Sequence, residues 1–304
     1  MNEPLVGAYY DLQINGFMGV DFNSCGTTSE DIIRAHDAMQ AEGVVGALPT
    51  IITHSVDNMS TCIENLVRAK PFCPLFKGLH LEGPFVSSKP GYIGAHPAQH
   101  AKGSDIESLK RLIDVGGGWI RLVTLSPEVD IRGELTRQCV DQGIVVAAGH
   151  TDASLQELDR CLDVGLSLFT HWGNGCPQQL HRHDNILLRA LNRAERLRFT
   201  LIADGFHIPK MLFENLLRCL PIEKLAVVSD AISAAGLGPG TYGLGEKQVT
   251  IGPDRACRDP SGQNFAGAAS SMRDADDWLA KTMGLPFSTR QQLLLDNPKN
   301  WVVN

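Results

Sequence analysis

The chain lacks any stretch approaching the ~20 consecutive apolar residues of a membrane-spanning helix. Its opening, MNEPLVGAYYDLQ, has neither the basic start nor the apolar run of a secretory signal. Positive charge is not in excess: 27 Lys and Arg stand against 34 Asp and Glu, a formal net charge of −7. That balance argues against nucleic acid or an anionic membrane surface as a partner, and a cytoplasmic protein is expected. An anionic substrate would need local groups to hold it, because the global field opposes it. The eight cysteines, Cys25, Cys62, Cys73, Cys139, Cys161, Cys176, Cys219 and Cys257, form no C-x-x-C pair and show no regular spacing. Reduced, structural thiols are therefore expected, with Cys176 noted for its place in a loop near the expected site. No G-x-G-x-x-G opens a helix, so the glycines around 236–245 read as turn formers. Linkers, internal repeats and low-complexity tracts are absent too, and one domain over 1–304 is expected.

What is present is an alternation of short apolar runs with helical patterns. The runs 7–15, 44–52, 75–82, 119–125, 144–150, 166–171, 199–204 and 225–230 read as strands. Helical stretches fall at 28–42, 58–70, 104–115, 131–142, 154–164, 184–195 and 209–219. Thr28 and the acids after it open the first helix, and Gly43 closes it; Ser154 and Gly165 bracket another in the same way. Eight β–α alternations predict an α/β fold, the (β/α)8 TIM barrel. Residues 236–266, rich in Gly and Pro, read as a β-hairpin excursion after the eighth strand. Helices near 271–284 and 289–296 complete the chain.

Four polar residues close apolar runs: Glu82 in KGLHLEGPF, His150 in IVVAAGHTD, His171 in LSLFTHWGN and Asp230 in LAVVSDAIS. In a parallel barrel the strand ends meet at one mouth, where catalytic residues gather. One Glu and two His around a point make a zinc-type ligand set, and a further carboxylate can move protons. A lone strand-end histidine is more often structural, but two of them with a Glu and an Asp at four separate strand ends reverse that reading. His80, two residues before Glu82, is read as a possible support of the same site.

HLEGPF (80–85), GHTDA (149–153), THWGNGCP (170–177), ADGFHI (203–208) and SDAISAAG (229–236) resemble segments of the N-acetylglucosamine-6-phosphate deacetylase family. DLQING (11–16), PGYIGAHP (90–97) and FAGAASSM (265–272) resemble its remaining signatures, in the same order. That family lies in the amidohydrolase superfamily of metal-dependent barrels. The resemblance implies that Glu82, His150 and His171 bind one divalent ion, Zn2+ or Fe2+, per subunit. It implies that Asp230 shuttles the proton of the attacking water to the amine, and that His96 hydrogen-bonds the substrate. Where many amidohydrolases have H-x-H for a second metal, this chain has Gln13 and Asn15. Amides are poor ligands, so that second position reads as vestigial and a single ion is expected.

The resemblance also implies a phosphorylated N-acetyl amino sugar as substrate, contacted by Asn174, Gly175 and His207. Arg182 corresponds to a phosphate-binding arginine supplied across a homodimer interface; from the residues alone, HRHD also reads as a solvated charged loop. Family members carry a small β-sandwich beside the barrel. Here the first barrel strand begins within the first dozen residues and the chain stops at DNPKNWVVN, so almost none of that sandwich is expected. The expected reaction is hydrolysis of N-acetylglucosamine 6-phosphate to glucosamine 6-phosphate and acetate. Its alternatives are another N-acyl amino sugar, such as N-acetylgalactosamine 6-phosphate, or a non-catalytic sugar-phosphate-binding barrel.

Overall fold

The computed structural model describes residues 5–244, 247–259, 262 and 265–302. Eight parallel strands follow one another round a single sheet in chain order: β1 Tyr9–Ile14, β2 Val44–Ile52, β3 Leu79–Glu82, β4 Ile120–Leu125, β5 Val145–Ala148, β6 Leu168–Phe169, β7 Arg198–Ile202 and β8 Leu225–Val228. Helices α1 Ser29–Ala41, α2 Val56–Ala69, α3 Ile106–Val115, α4 Glu134–Val140, α5 Leu155–Asp163, α6 Ile186–Leu191, α7 Lys210–Cys219 and α8 Met272–Lys281 follow β1 to β8 in turn. The fold is the (β/α)8 barrel. No helix among the described residues is long and apolar enough to cross a membrane.

Helix starts lie within two or three residues of their expected places because the caps are chemical. Thr28 with Asp31, and Ser154 with Glu157, form reciprocal capping boxes. Strand ends depart further from expectation. The third strand begins at Leu79 rather than 75, and the fifth, sixth and eighth stop at Ala148, Phe169 and Val228. Their polar residues sit two positions beyond the last paired residue, where the backbone turns left-handed: φ is 51° at His150, 33° at His171 and 49° at Asp230. Only Glu82 is still within its strand. The excursion after β8 holds strands β9 Gly240–Leu244, β10 Lys247–Ile251 and β11 Cys257–Arg258, paired antiparallel. Residues 245–246, 260–261 and 263–264 of that segment lie outside the described residues. The expected final helix at 289–296 is present as one unbroken helical segment, α-helical over Phe287–Gln291, π-helical over Gln292–Asp296 and α-helical again over Asn297–Val302.

Alternation along the strands divides the apolar side chains in two. Tyr9, Ala47, Leu81, Val123, Val146, Phe199 and Val227 join the helices in the larger cluster. Their neighbours Tyr10, Leu12, Leu48, Leu122, Ala147, Leu168, Ile202, Ala226 and Val228 fill the barrel interior. β3 contributes no residue to that inner cluster, because its inward position is His80.

The ring closes where β1 meets the segment after β8. Asp230 N donates to Gln13 O at 2.9 Å, and Asn15 N donates to Ala231 O at 2.7 Å. Asp11, fully buried at this seam, accepts from Ser229 Oγ at 2.5 Å, Ser229 N at 3.1 Å and Gln13 N at 3.2 Å. Burial pushes its carboxyl from the ordinary 3.8 up to about 7 against these hydrogen bonds. Because the folded value lies above the unfolded one, Asp11 favours the folded barrel fully below pH 3.8, and this contribution is lost as pH rises through about 7. Asp11→Asn is expected to flatten that part of a plot of unfolding midpoint against pH between 4 and 7; an unchanged slope would place the dependence elsewhere.

A second closure holds the chain's first described residues. Asp276 of α8 accepts from Val6 N at 2.6 Å and from Tyr9 Oη at 3.0 Å, and pairs with Arg290. Arg290 and Asp276 side chains are both fully buried, and Arg290 Nε also donates to Leu285 O at 3.1 Å.

Candidate metal centre and active site

Glu82 Oε1 lies 2.8 Å from His171 Nε2 and 3.2 Å from His150 Nε2, and the two imidazole nitrogens are 3.2 Å apart. All three residues are buried. They are the one group of three or more potential metal ligands that converges among the described residues. His150 Nδ1 stands 2.9 Å from the Tyr92 carbonyl, which only accepts. A neutral His150 therefore carries its proton on Nδ1 and turns the Nε2 lone pair towards Glu82. A carboxylate oxygen and two imidazole nitrogens crowded at this separation have the donor chemistry of a divalent-cation site. Burial alone would raise the Glu82 carboxyl, but the adjoining His150, His171 and His96 imidazoles hold it well below its usual range. His171 moves the other way: burial opposes its charge, while the Glu82 carboxylate raises it above the usual value.

A polar layer separates this centre from the apolar barrel interior. Thr124 Oγ1 bonds His80 Nε2 at 2.8 Å and Thr170 Oγ1 at 2.7 Å, and His80 Nδ1 faces Leu12 O at 3.1 Å. Thr200 Oγ1 accepts from His171 N at 2.7 Å, tethering the backbone at its left-handed turn. His80 thus ties β1, β3 and β4 together beneath the centre and makes no bond to its ligand atoms. Burial brings its pKa down to about 4, so it stays neutral there.

Asp230 faces the centre from the seam. Asn15 Nδ2 donates to its Oδ1 at 2.8 Å and Gln13 Nε2 at 3.1 Å, while the same Gln13 nitrogen donates to Glu82 Oε1 at 2.9 Å. The two amides at the expected vestigial position are hydrogen-bond donors that clamp a pair of carboxylates. Burial and the nearby Glu82 carboxylate push Asp230 up to about 6. His96 arrives from the loop after β3 with Nε2 at 3.6 Å from Glu82 Oε2 and Nδ1 at 2.7 Å from Thr53 Oγ1. Burial and the neighbouring His150 lower it to about 4.

These residues open into a cavity of about 590 Å3 that also takes in Asn174, Gly175, Cys176 and His207. Gln248, Val249 and Phe265 of the excursion wall it on one side. Asn174 N and Nδ2 both donate to His171 O, at 2.9 and 3.3 Å. Gly175 has φ 63°, and a Cβ there would sit 3.0 Å from His150 Nδ1, so this close approach needs glycine. His207 Nδ1 is held at 2.6 Å by Asp204 Oδ2, and the Phe265 ring packs against it at a tilt, with centroids 4.9 Å apart. Burial works against the Asp204 charge, but its bonds from His207 and Phe206 hold it below the usual range. Arg182 is exposed and is not part of the cavity wall, and no described lining residue is Lys or Arg. His181 and His183 beside it are exposed, and His54 stacks on His100 away from the centre. All eight cysteines are free thiols, and Cys176, though it lines the cavity, is pushed up to about 11 by burial.

Sequence reading missed Thr53, the Tyr92 carbonyl, Asp204 and Phe265. Only Asp204 carried a usable signal, an acid three residues before a histidine across a Gly-containing turn. A backbone carbonyl has none.

Comparison with known proteins is consistent with this geometry. N-acetylglucosamine-6-phosphate deacetylase of Bacillus subtilis is 32% identical over 81% of this chain, which spans 63% of that protein's length. N-acetylgalactosamine-6-phosphate deacetylase of a Shewanella strain is 28% identical over 98% of the chain and 74% of its own length. The barrel is thus similar in sequence to these two deacetylases. Among solved structures, N-acetyl-D-glucosamine-6-phosphate deacetylase of Mycobacterium smegmatis superposes with a TM-score of 0.89 at 24% identity, covering 97% of this chain and 77% of its own; it shares the fold. No family model matches the chain.

Proposed function

We propose that this chain is a metal-dependent deacetylase that converts N-acetylglucosamine 6-phosphate and water into glucosamine 6-phosphate and acetate. The observation carrying the reading is the meeting of Glu82, His150 and His171 with Asp230 in one cavity. The triad would hold one Zn2+ or Fe2+ per subunit. When bound, such an ion supplies Lewis acidity and water with a pKa near ~7.

Asp230 accepts a proton from the attacking water and delivers it to the amine nitrogen as the C–N bond breaks. Gln13 and Asn15 hold its carboxylate in place through Oδ1. His96 hydrogen-bonds the amide oxygen, where negative charge develops. Asn174, the Gly175 N–H and His207 contact the sugar phosphate. With no Lys or Arg on the described cavity wall, the exposed Arg182 is the cation we assign to the phosphate, reaching the mouth of a second copy in a homodimer. The excursion at 236–266 is read as part of the same single domain.

Removing metal with a chelator is expected to lower acetate release at least ~100-fold, with recovery on adding Zn2+ or Fe2+. Metal-loaded protein that releases no acetate from either phosphorylated N-acetylhexosamine would overturn the reading. N-acetylgalactosamine 6-phosphate is the second substrate to test, because the Shewanella relative named for it aligns with 98% of this chain. The ratio of kcat/KM for the two sugars decides between them.

A further inference from the structure

We propose that Thr53 is a positioning residue that fixes the tautomer of His96, so that this imidazole presents Nε2–H to the substrate's amide oxygen. The identity of that acceptor rests on the deacetylase reading; the tautomer does not.

Thr53 directly follows β2 and is fully buried. Its Oγ1 lies 2.7 Å from His96 Nδ1 and 3.3 Å from the Glu82 carbonyl oxygen. A hydroxyl has one proton to donate, so two arrangements are available. In the first, Thr53 donates to Glu82 O and accepts from His96 Nδ1–H. His96 Nε2 then turns a lone pair towards Glu82 Oε2, 3.6 Å away, and lone pair faces carboxylate. In the second, Thr53 donates across the shorter contact to Nδ1, and the Nε2–H points at that carboxylate. The second arrangement assigns the hydroxyl proton to the closer acceptor and turns the facing of lone pair and carboxylate into an attraction, at the cost of the longer 3.3 Å bond to Glu82 O. It also gives His96 the form its role requires, since only an N–H can hydrogen-bond a carbonyl oxygen on which negative charge grows.

The surroundings are shaped for this hydroxyl. Gly83, the residue after the ligand Glu82, has φ 92°, and a Cβ there would meet Thr53 Oγ1 at 2.1 Å. Any larger residue at 83 would occupy the space from which Thr53 reaches His96. The His96 ring also packs against His150 with centroids 4.2 Å apart.

The test joins a spectrum to kinetics. In 15N-histidine spectra of the zinc-loaded protein, with His96→Gln used for assignment, His96 is expected as the neutral Nε2–H form. Thr53→Val, which keeps the volume and removes the hydroxyl, is expected to lose that single pattern. Its kcat should fall about 10- to 100-fold with KM within about threefold, as for a weakened oxyanion contact. Thr53→Ser should restore both the spectrum and kcat, while bound metal and unfolding midpoint stay at wild-type values in each variant. A wild-type His96 protonated on Nδ1, or an unchanged kcat in Thr53→Val, overturns the proposal. If wild-type protein hydrolyses neither sugar, the deacetylase reading fails and the 15N spectrum still decides the role of Thr53. Should Thr53→Val not fold, the wild-type spectrum decides it alone.

Discussion

Asp230→Asn is expected to lower kcat about 100- to 10 000-fold while the protein keeps its metal. Asparagine has nearly the same volume, and its Oδ1 can still accept from Gln13 and Asn15, which now hold the carboxylate at 3.1 and 2.8 Å. What it cannot do is take a proton from water at neutral pH. The triad of Glu82, His150 and His171 would be untouched, so metal content measured beside turnover separates loss of the shuttle from loss of the ion. Turnover within tenfold of wild type, with metal bound, would remove Asp230 from the proton path.

The largest effect on stability is expected at Arg290→Met. The guanidinium and the Asp276 carboxylate are both fully buried, and removing one leaves the other charged away from water. Breaking such a pair typically costs about 3–5 kcal/mol, a large share of a domain's total stability. Val6 N and Tyr9 Oη would still bond Asp276, but neither carries charge to match it. Urea denaturation should show a lower midpoint, and replacing Asp276 by Leu in the same chain should recover much of the loss. A shift under 1 kcal/mol in the single variant would mean that water reaches the pair.

The barrel and the meeting of Glu82, His150, His171 and Asp230 at one cavity were legible because they rest on local rules. Apolar runs mark buried parallel strands, capping residues mark helix starts, and a polar residue at the end of such a run has few reasons to be there. The backbone at those ends was not legible. His150, His171 and Asp230 adopt a left-handed conformation that their residue types rarely take, and the tethers responsible, such as Thr200 Oγ1 to His171 N, join residues distant in sequence. Gln13 and Asn15 were read by what they replace, as poor ligands. Their work as donors depends on two carboxylates 69 and 217 residues away in sequence, which no local pattern records. Arg182 shows the opposite limit: the resemblance assigned it to the phosphate while its HRHD surroundings read as a solvated loop, and its own chain places it at the surface.

The seam between the first and last strands has a consequence for synthesis. Glu82, His150 and His171 have all been made well before residue 230 leaves the ribosome. The carboxylate proposed to move protons arrives later, and it is oriented only when Asp230 N meets Gln13 O and the ring shuts. On the proposed function, the three cation ligands thus precede the proton carrier in synthesis, and the carrier's orientation depends on closure of the ring.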